Sequence, residues 1–301
     1  MPDQELEQFA HEALQRKDFA LAESLLKSLN NKESEFALAS FGWMYLNGHI
    51  GAPNVKLARS YFERGVALGH EEAYYQLALL LIEEKNFEQS SEVIIMALDK
   101  FTDFDRVRYV NLLSIVNDRI ASEHIERREY NVALRILQSQ EEPKSEYALV
   151  NLGWLHTLKG VDGNKDNKSA RYYFERASAV GSVESHFQLG MIELEEGNAT
   201  LARQELGEGA RLGHLPSMSK LAEMLINGEG GAADYESGIA MLKASAAKGH
   251  VMSRVRLLKM EIKGTRNPVT KMIKHIKYIG IISGLIRQIV QGNISEYYEF
   301  R

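Results

Sequence analysis

Histidine, paired carboxylates and clustered glycines are the residues here whose spacing could support chemistry. Of nine histidines, His70, His214 and His250 each follow a glycine and stand a repeat or more apart. Metal ligation would require them to converge within a few ångströms. Elements that recur along the chain hold them apart, so a turn or capping role is expected, with no metal ligand and no cofactor. Glu83-Glu84 and Glu195-Glu196 close helices in equivalent places and read as solvated rather than catalytic. Gly228, Gly230 and Gly231 could imitate a phosphate cradle, but they sit where other units carry a plain glycine loop. No His-Glu-x-x-His, Gly-x-Ser-x-Gly, P-loop or dinucleotide fingerprint is present. The expectation is a protein that is not an enzyme.

The elements that would position any site begin with residues 37–73. Ala37, Leu38, Phe41, Tyr45 and Leu46 recur at helical spacing, and Gly42 leaves room for a neighbour. A loop with Gly48, Gly51 and Pro53 follows, then Asn54 as a helix N-cap, a second helix with Leu57, Ala58, Tyr61, Phe62 and Val66, and Gly69 as its end. Residues 146–185 repeat this pattern. Gly42, Trp43, Tyr61 and Phe62 fall on Gly153, Trp154, Tyr173 and Phe174, and Arg59 and Gly69 fall on Arg171 and Gly181. A third unit from Ser217 keeps Leu221, Ala222, Gly228, Gly230, Ala240 and Gly249 in step, with a period of about three dozen residues. Shorter units lie between, turning at Asn86-Phe87 and Gly197-Asn198.

This pattern, an apolar-Gly pair and an aromatic, a Gly-rich loop, then Ala-xx-Tyr-Phe/Tyr-xx-Ala-xx-Gly, resembles the Sel1-like repeat. The shorter units look like its relative, the tetratricopeptide repeat. The resemblance implies an all-α, right-handed superhelical solenoid of antiparallel helix pairs and a role as a protein-binding scaffold or adaptor. It also implies that first helices line a concave groove. Mapping those positions selects Trp43, Asn47, Tyr75, Leu79 and Glu83, then Trp154, Leu158, Phe187, Met191 and Glu195. Trp43 and Trp154 are the chain's two tryptophans; either both pack between adjacent helices as a product of the duplication, or as aromatic anchors they hold another protein or peptide. Arg59 and Arg171, on second helices, are expected at the outer face.

Abundant Ala, Leu and Glu with five prolines agree with an all-α chain. Residues 1–267 read as the solenoid, duplicated over about 18–100 and 129–211, with a linking helix near 103–128. That helix is expected to start at Thr102 or Asp103 and to pack through Val107, Val110, Leu113, Val116 and Ile120. A first hairpin carries Leu6, Phe9, Ala10, Ala13 and Leu14 opposite Phe19, Ala22, Leu25, Leu26 and Leu29. The absence of cysteine excludes disulfides and thiolate metal sites. The charged start lacks the apolar run of a secretory signal, so a cytoplasmic and bacterial setting is expected.

Residues 268–301 form a basic, Ile-rich end. Between Arg254 and Val290 nine Lys or Arg stand against one Glu, while the whole chain is at −5. Two readings follow. One is a capping helix whose isoleucines cover the last repeat. The other is a docking helix using Lys271, Lys274, Lys277 and Arg287 against an anionic membrane surface or a membrane protein, which would make the chain an accessory factor of an envelope or polysaccharide system at the inner face of the membrane. Its uncharged stretch, Tyr278 to Ile286, is too short to span a bilayer. The same helix, or an open solenoid end, can pair with its copy in a homodimer. Nucleic acid is not expected, because the body is acidic and no aromatic-basic motif is interleaved.

Overall fold

The computed structural model describes residues 3–30, 34–101, 106–140, 144–158 and 165–290. Among them are sixteen α-helices and no strand, and within each compact unit every helix packs on its neighbour in sequence. The fold is an all-α array of helix pairs. It divides into two compact units, residues 1–145 and 146–301.

The first unit holds α1 (Asp3–Gln15), α2 (Phe19–Asn30), α3 (Glu35–Leu46), α4 (Val55–Leu68), α5 (Glu71–Glu83), α6 (Phe87–Lys100), α7 (Arg106–Glu126) and α8 (Tyr130–Ser139). The second holds α9 (Glu146–Thr157), α10 (Asn167–Ala179), α11 (Val183–Glu195), α12 (Ala199–Arg211), α13 (Leu215–Asn227), α14 (Tyr235–Ala247), α15 (Val251–Gly264) and α16 (Pro268–Val290).

The three long units share one loop closure. Asn54, Asp166 and Asp234 are N-caps whose side chains accept from the backbone N–H of Leu57, Ser169 and Ser237, all at 3.0 Å. Each cap also donates its own N–H back to the preceding helix, to Tyr45 O at 2.8 Å, His156 O at 3.0 Å and Leu225 O at 2.8 Å. A side-chain oxygen that satisfies an orphan helix donor fixes where each second helix starts. Gly69 ends α4 with φ of 83°, a left-handed conformation that glycine adopts without a Cβ penalty.

The core runs between the paired helices. In the first unit Ala10, Ala13, Ala22, Leu26, Leu29, Ala37, Phe41 and Met44 form one cluster, with Leu6, Leu14, Phe19 and Leu25 against it. Phe9, expected on that face, is about half exposed instead. The stripe of α7 also differs from expectation. Tyr109, Leu112, Val116, Ile120 and Ala121 are its buried residues, whereas Val107 lies largely in solvent. Tyr109 sets this rotation, because its hydroxyl donates to Glu71 O at 2.9 Å while its ring enters the cluster with Tyr74, Ala78 and Ile94. Thr102 and Asp103, the expected caps, lie outside the described residues, as do residues 291–301 of the basic end.

Candidate functional site

The first-helix positions are filled differently in the two units. On α3, Trp43 is 39% exposed. It nevertheless belongs to an ordered aromatic group, in which the Phe19 and His49 rings stack at 4.0 Å and Trp43 lies 4.6 Å from His49 and 6.3 Å from Phe19. Asn47, one turn on, is exposed and donates its Nδ2 to Trp43 O at 2.8 Å. On α5, Tyr75 and Leu79 are half-buried and pack on the α5–α7 core. The Arg108 guanidinium lies 4.4 Å from the Tyr75 ring centre, and Tyr109 meets that ring edge-on at 6.0 Å. Arg108 is itself paired with Glu72 at 3.2 Å and Glu71 at 3.6 Å, so the expected open face of Tyr75 is partly covered by α7. Glu83 is exposed.

In the second unit Trp154 is half-buried and packs against Ala170, Phe174, Leu189 and Ile192. Leu158 and Met191 are half-buried. Phe187 departs from its expected place on an open surface. It is 9% exposed, clusters with Ala202, Leu206, Leu221 and Met224, and meets the His214 ring at 5.7 Å. Glu195 is exposed, and both its oxygens accept from Lys165 Nζ at 2.6 Å.

Two second-helix arginines form bridges between helix pairs that the sequence reading did not anticipate. Arg59 of α4 pairs with Glu84 at the end of α5. Arg171 of α10 repeats that pair with Glu196 at 2.8 Å and adds a bond to Glu193. The acidic pairs are therefore partly structural. The signal was present in the sequence, since an Arg precedes a Glu by 25 residues in both copies. The Glu193 side chain is almost enclosed and also accepts from Asn198 Nδ2 at 2.9 Å. Burial pushes its carboxyl up, but the bonds from Arg171 and Asn198 outweigh burial and hold it below the usual carboxylate range. Burial pushes the Tyr109 phenol up to about 12, against the opposing pull of Arg108.

The repeat-position histidines sit at helix N-caps. His250 caps α15, its Nδ1 accepting from Ser253 N–H at 3.2 Å and lying 2.8 Å from Ser253 Oγ. His214 Nδ1 stands 2.9 Å from Ser217 Oγ in the same way, and its Nε2 pairs with Glu184 at 2.9 Å. His70 has Ala73 at the corresponding place, and its buried Nδ1 has no hydrogen-bond partner. Among the described residues no group of three or more His, Asp or Glu could hold a metal ion.

The basic end shows a division that the sequence does not reveal. Ile281 and Ile282 are half-buried, but Ile273, Ile276, Ile279 and Ile286 are each more than half exposed and do not cover the last repeat. Lys271, Lys277 and Arg287 are exposed, whereas Lys274 is tied to Thr265 and Glu261. Among the described residues no helix is long and apolar enough to cross a membrane.

A family model and one solved structure agree with this architecture. The Sel1 repeat model matches residues 32–70, 146–182 and 215–250, which are the three long units, so the chain carries three Sel1 repeats. A protective antigen of uropathogenic Escherichia coli strains displaying an SLR fold superposes with a TM-score of 0.53 at 18% identity, over 85% of this chain and 56% of that one. This chain thus spans little more than half of that protein's length, and the likeness is one of fold. A Sel1 repeat protein from Oxalobacter formigenes matches at 16% identity with a TM-score of 0.41, over 91% of this chain and 99% of that one. The C-terminal part of a TPR repeat-containing protein from Cytophaga hutchinsonii matches at 15% identity with a TM-score of 0.49, over 80% and 94%. No curated protein matches the sequence. Sel1 repeats are in general a non-catalytic, protein-binding fold.

Proposed function

We propose that a chain built on three Sel1 repeats works as a non-enzymatic scaffold that takes another protein or peptide on the surface of its first helices. Each unit carries its own surface. In the first it centres on Trp43 and Asn47, with Glu83 farther along. In the second it involves Trp154, Leu158, Met191 and Glu195.

The observation that carries this reading is the state of Trp43. A large aromatic left 39% exposed keeps part of its ring open to a partner, and that ring is already oriented by Phe19 and His49. An anchor fixed before binding loses little conformational entropy when it docks, and tryptophan is among the residues most enriched at interface hot spots. Asn47 and Glu83 add polar contacts that favour a basic or amide-rich ligand. Trp154 is the lesser anchor because more of it already serves the core.

Affinity capture from the cells that make the protein tests this, using the intact chain, Trp43→Ala and, as a control on an exposed aromatic elsewhere, Tyr235→Ala. Loss of a hot-spot tryptophan costs about 2 kcal/mol, or about 30-fold in affinity, so the captured species should vanish with Trp43→Ala and persist with Tyr235→Ala. Equal capture by both variants would remove Trp43 from the function.

A further inference from the structure

Helix α16 meets the preceding helix with one face and leaves the opposite one bare. Its contact with α15 is made by Lys274, Tyr278, Ile281 and Ile282, the half-buried residues at helical spacing. Lys274 Nζ donates to Thr265 Oγ1 at 3.1 Å and lies 3.4 Å from Glu261, and Lys259 Nζ stands 5.7 Å from the Tyr278 ring centre. On the other side Val269, Met272, Ile273, Ile276, Ile279 and Ile286 are each more than half exposed. Their spacing of three, one, three, three and seven residues puts them on one stripe of the helix, about 26 Å long at 1.5 Å per residue. Nothing among the described residues covers it. A monomer seldom exposes so long an apolar strip without using it.

The charges around the stripe say what covers it. Lys277 is exposed along one border, Arg287 is exposed near its far end, Lys271 is exposed at the start of the helix on the side of Lys274 and Tyr278, and α16 contains no Asp or Glu. Two copies laid stripe to stripe would bring these cations together without a carboxylate to pair them, which opposes a dimer. The stripe also lacks the Trp and Tyr that dominate protein hot spots. An apolar face flanked by cations and free of carboxylates is the arrangement that lies in the plane of an anionic lipid surface, with side chains in the acyl boundary and cationic groups among the headgroups.

We propose that α16 is a peripheral docking helix for an anionic bilayer surface. It inserts Val269, Met272, Ile273, Ile276 and Ile279 to shallow depth, while Lys277 and Arg287 meet acidic headgroups. It lies on the membrane and does not cross it. This surface is separate from the first-helix surfaces, so either reading stands without the other.

Sedimentation of the full chain with vesicles tests the assignment, comparing phosphatidylcholine containing phosphatidylserine with phosphatidylcholine alone. The intact protein should pellet with the first and remain largely in solution with the second, and raised salt should release it. Lys277→Gln/Arg287→Gln should weaken partition by about fivefold per cation. Ile276→Glu/Ile279→Glu should reduce it to background, and both variants change exposed side chains only, so circular dichroism should match the parent. Absence of pelleting, equal pelleting on both lipids, or partition unchanged in both variants would overturn the proposal. So would a dimer in sedimentation velocity that Ile276→Glu/Ile279→Glu dissolves, because it would give the stripe to a second copy.

Discussion

Gly153 of α9 lies against the ring of Phe174 of α10 so closely that a Cβ on it would stand 2.7 Å from Cδ1 and Cε1. Gly42 and Phe62 stand in the same relation in the first unit. The equivalent positions elsewhere hold Ala78 with Ile94, Gly190 with Leu206, and Ala222 with Leu242, all buried. Phenylalanine occurs where the partner is glycine, and an aliphatic side chain where the partner is alanine. The exception is Gly190, where an added Cβ would stand 2.7 Å from Leu206 Cγ. Close packing leaves no volume for both large partners at once.

Gly153→Ala gains about 1 kcal/mol of helix propensity but forces a methyl into a buried ring, at a cost of about 1–3 kcal/mol or more. Net destabilisation is expected in urea unfolding. Adding Phe174→Leu, which reproduces the Ala222/Leu242 pair, should recover part of the loss. Additive losses in the double variant would show that the two side chains do not share the space.

His70 should gain a partner from Ala73→Ser. The hydroxyl would take the place that Ser217 and Ser253 occupy beside His214 and His250. The Gly65 backbone leaves room for it, as Gly209 does beside Ser217. Satisfying one buried nitrogen is worth about 1 kcal/mol, so the melting temperature should rise. A fall would mean that the Nδ1 of His70 is not directed toward residue 73.

Arg171→Ala and Arg59→Ala remove equivalent ion pairs with unequal consequences. Arg59 leaves a partly exposed Glu84, which should cost less than about 1 kcal/mol. Arg171 leaves the enclosed Glu193, which should cost about 2 kcal/mol at pH 7. The pH dependence follows from the lowered native carboxyl. Its stabilising contribution is complete above the ordinary glutamate range, near about pH 4.3, and is lost as pH falls through the lower native value. The parent should therefore lose stability below about pH 4.3, while Arg171→Ala should lose less over that interval. Parallel pH profiles for parent and variant would contradict the assigned role.

Tyr109 governs the alkaline side. Its native phenol is pushed up to about 12 from an ordinary value of about 10, so its protonated form is favoured in the fold. The stability it confers is intact below about pH 10 and declines as pH rises toward the native value. Tyr109→Phe should cost about 1 kcal/mol at pH 7, through loss of the bond to Glu71 O, and should flatten the decline above about pH 10. An unchanged alkaline profile would assign that decline to other groups.

The repeat architecture was legible because its determinants are local. Asn54 followed three residues on by an apolar turn, Gly69 at the helix end, and Gly42 beside Trp43 are choices that a segment makes within one or two helical turns. Recurrence of those choices near residues 153–181 and 222–249 then requires stacked helix pairs. The pairing of Arg59 with Glu84 was hidden because it joins residues one helix apart, although its recurrence as Arg171 with Glu196 left a trace in the spacing.

By itself the sequence determined helix type, pair boundaries and repeat phase, since capping, periodicity and glycine conformation act over a few residues. Tertiary structure alone decided which equivalent side chains remain open. Trp43 is left to solvent beside His49 and Phe19, while Phe187 is drawn into a core between α11, α12 and α13. In α16 the periodicity is apolar nearly all round, so only the position of α15 selects Ile281 and Ile282 for contact and leaves Ile276 and Ile279 bare. Exposure depends on what packs from a distance, and no local pattern encodes it.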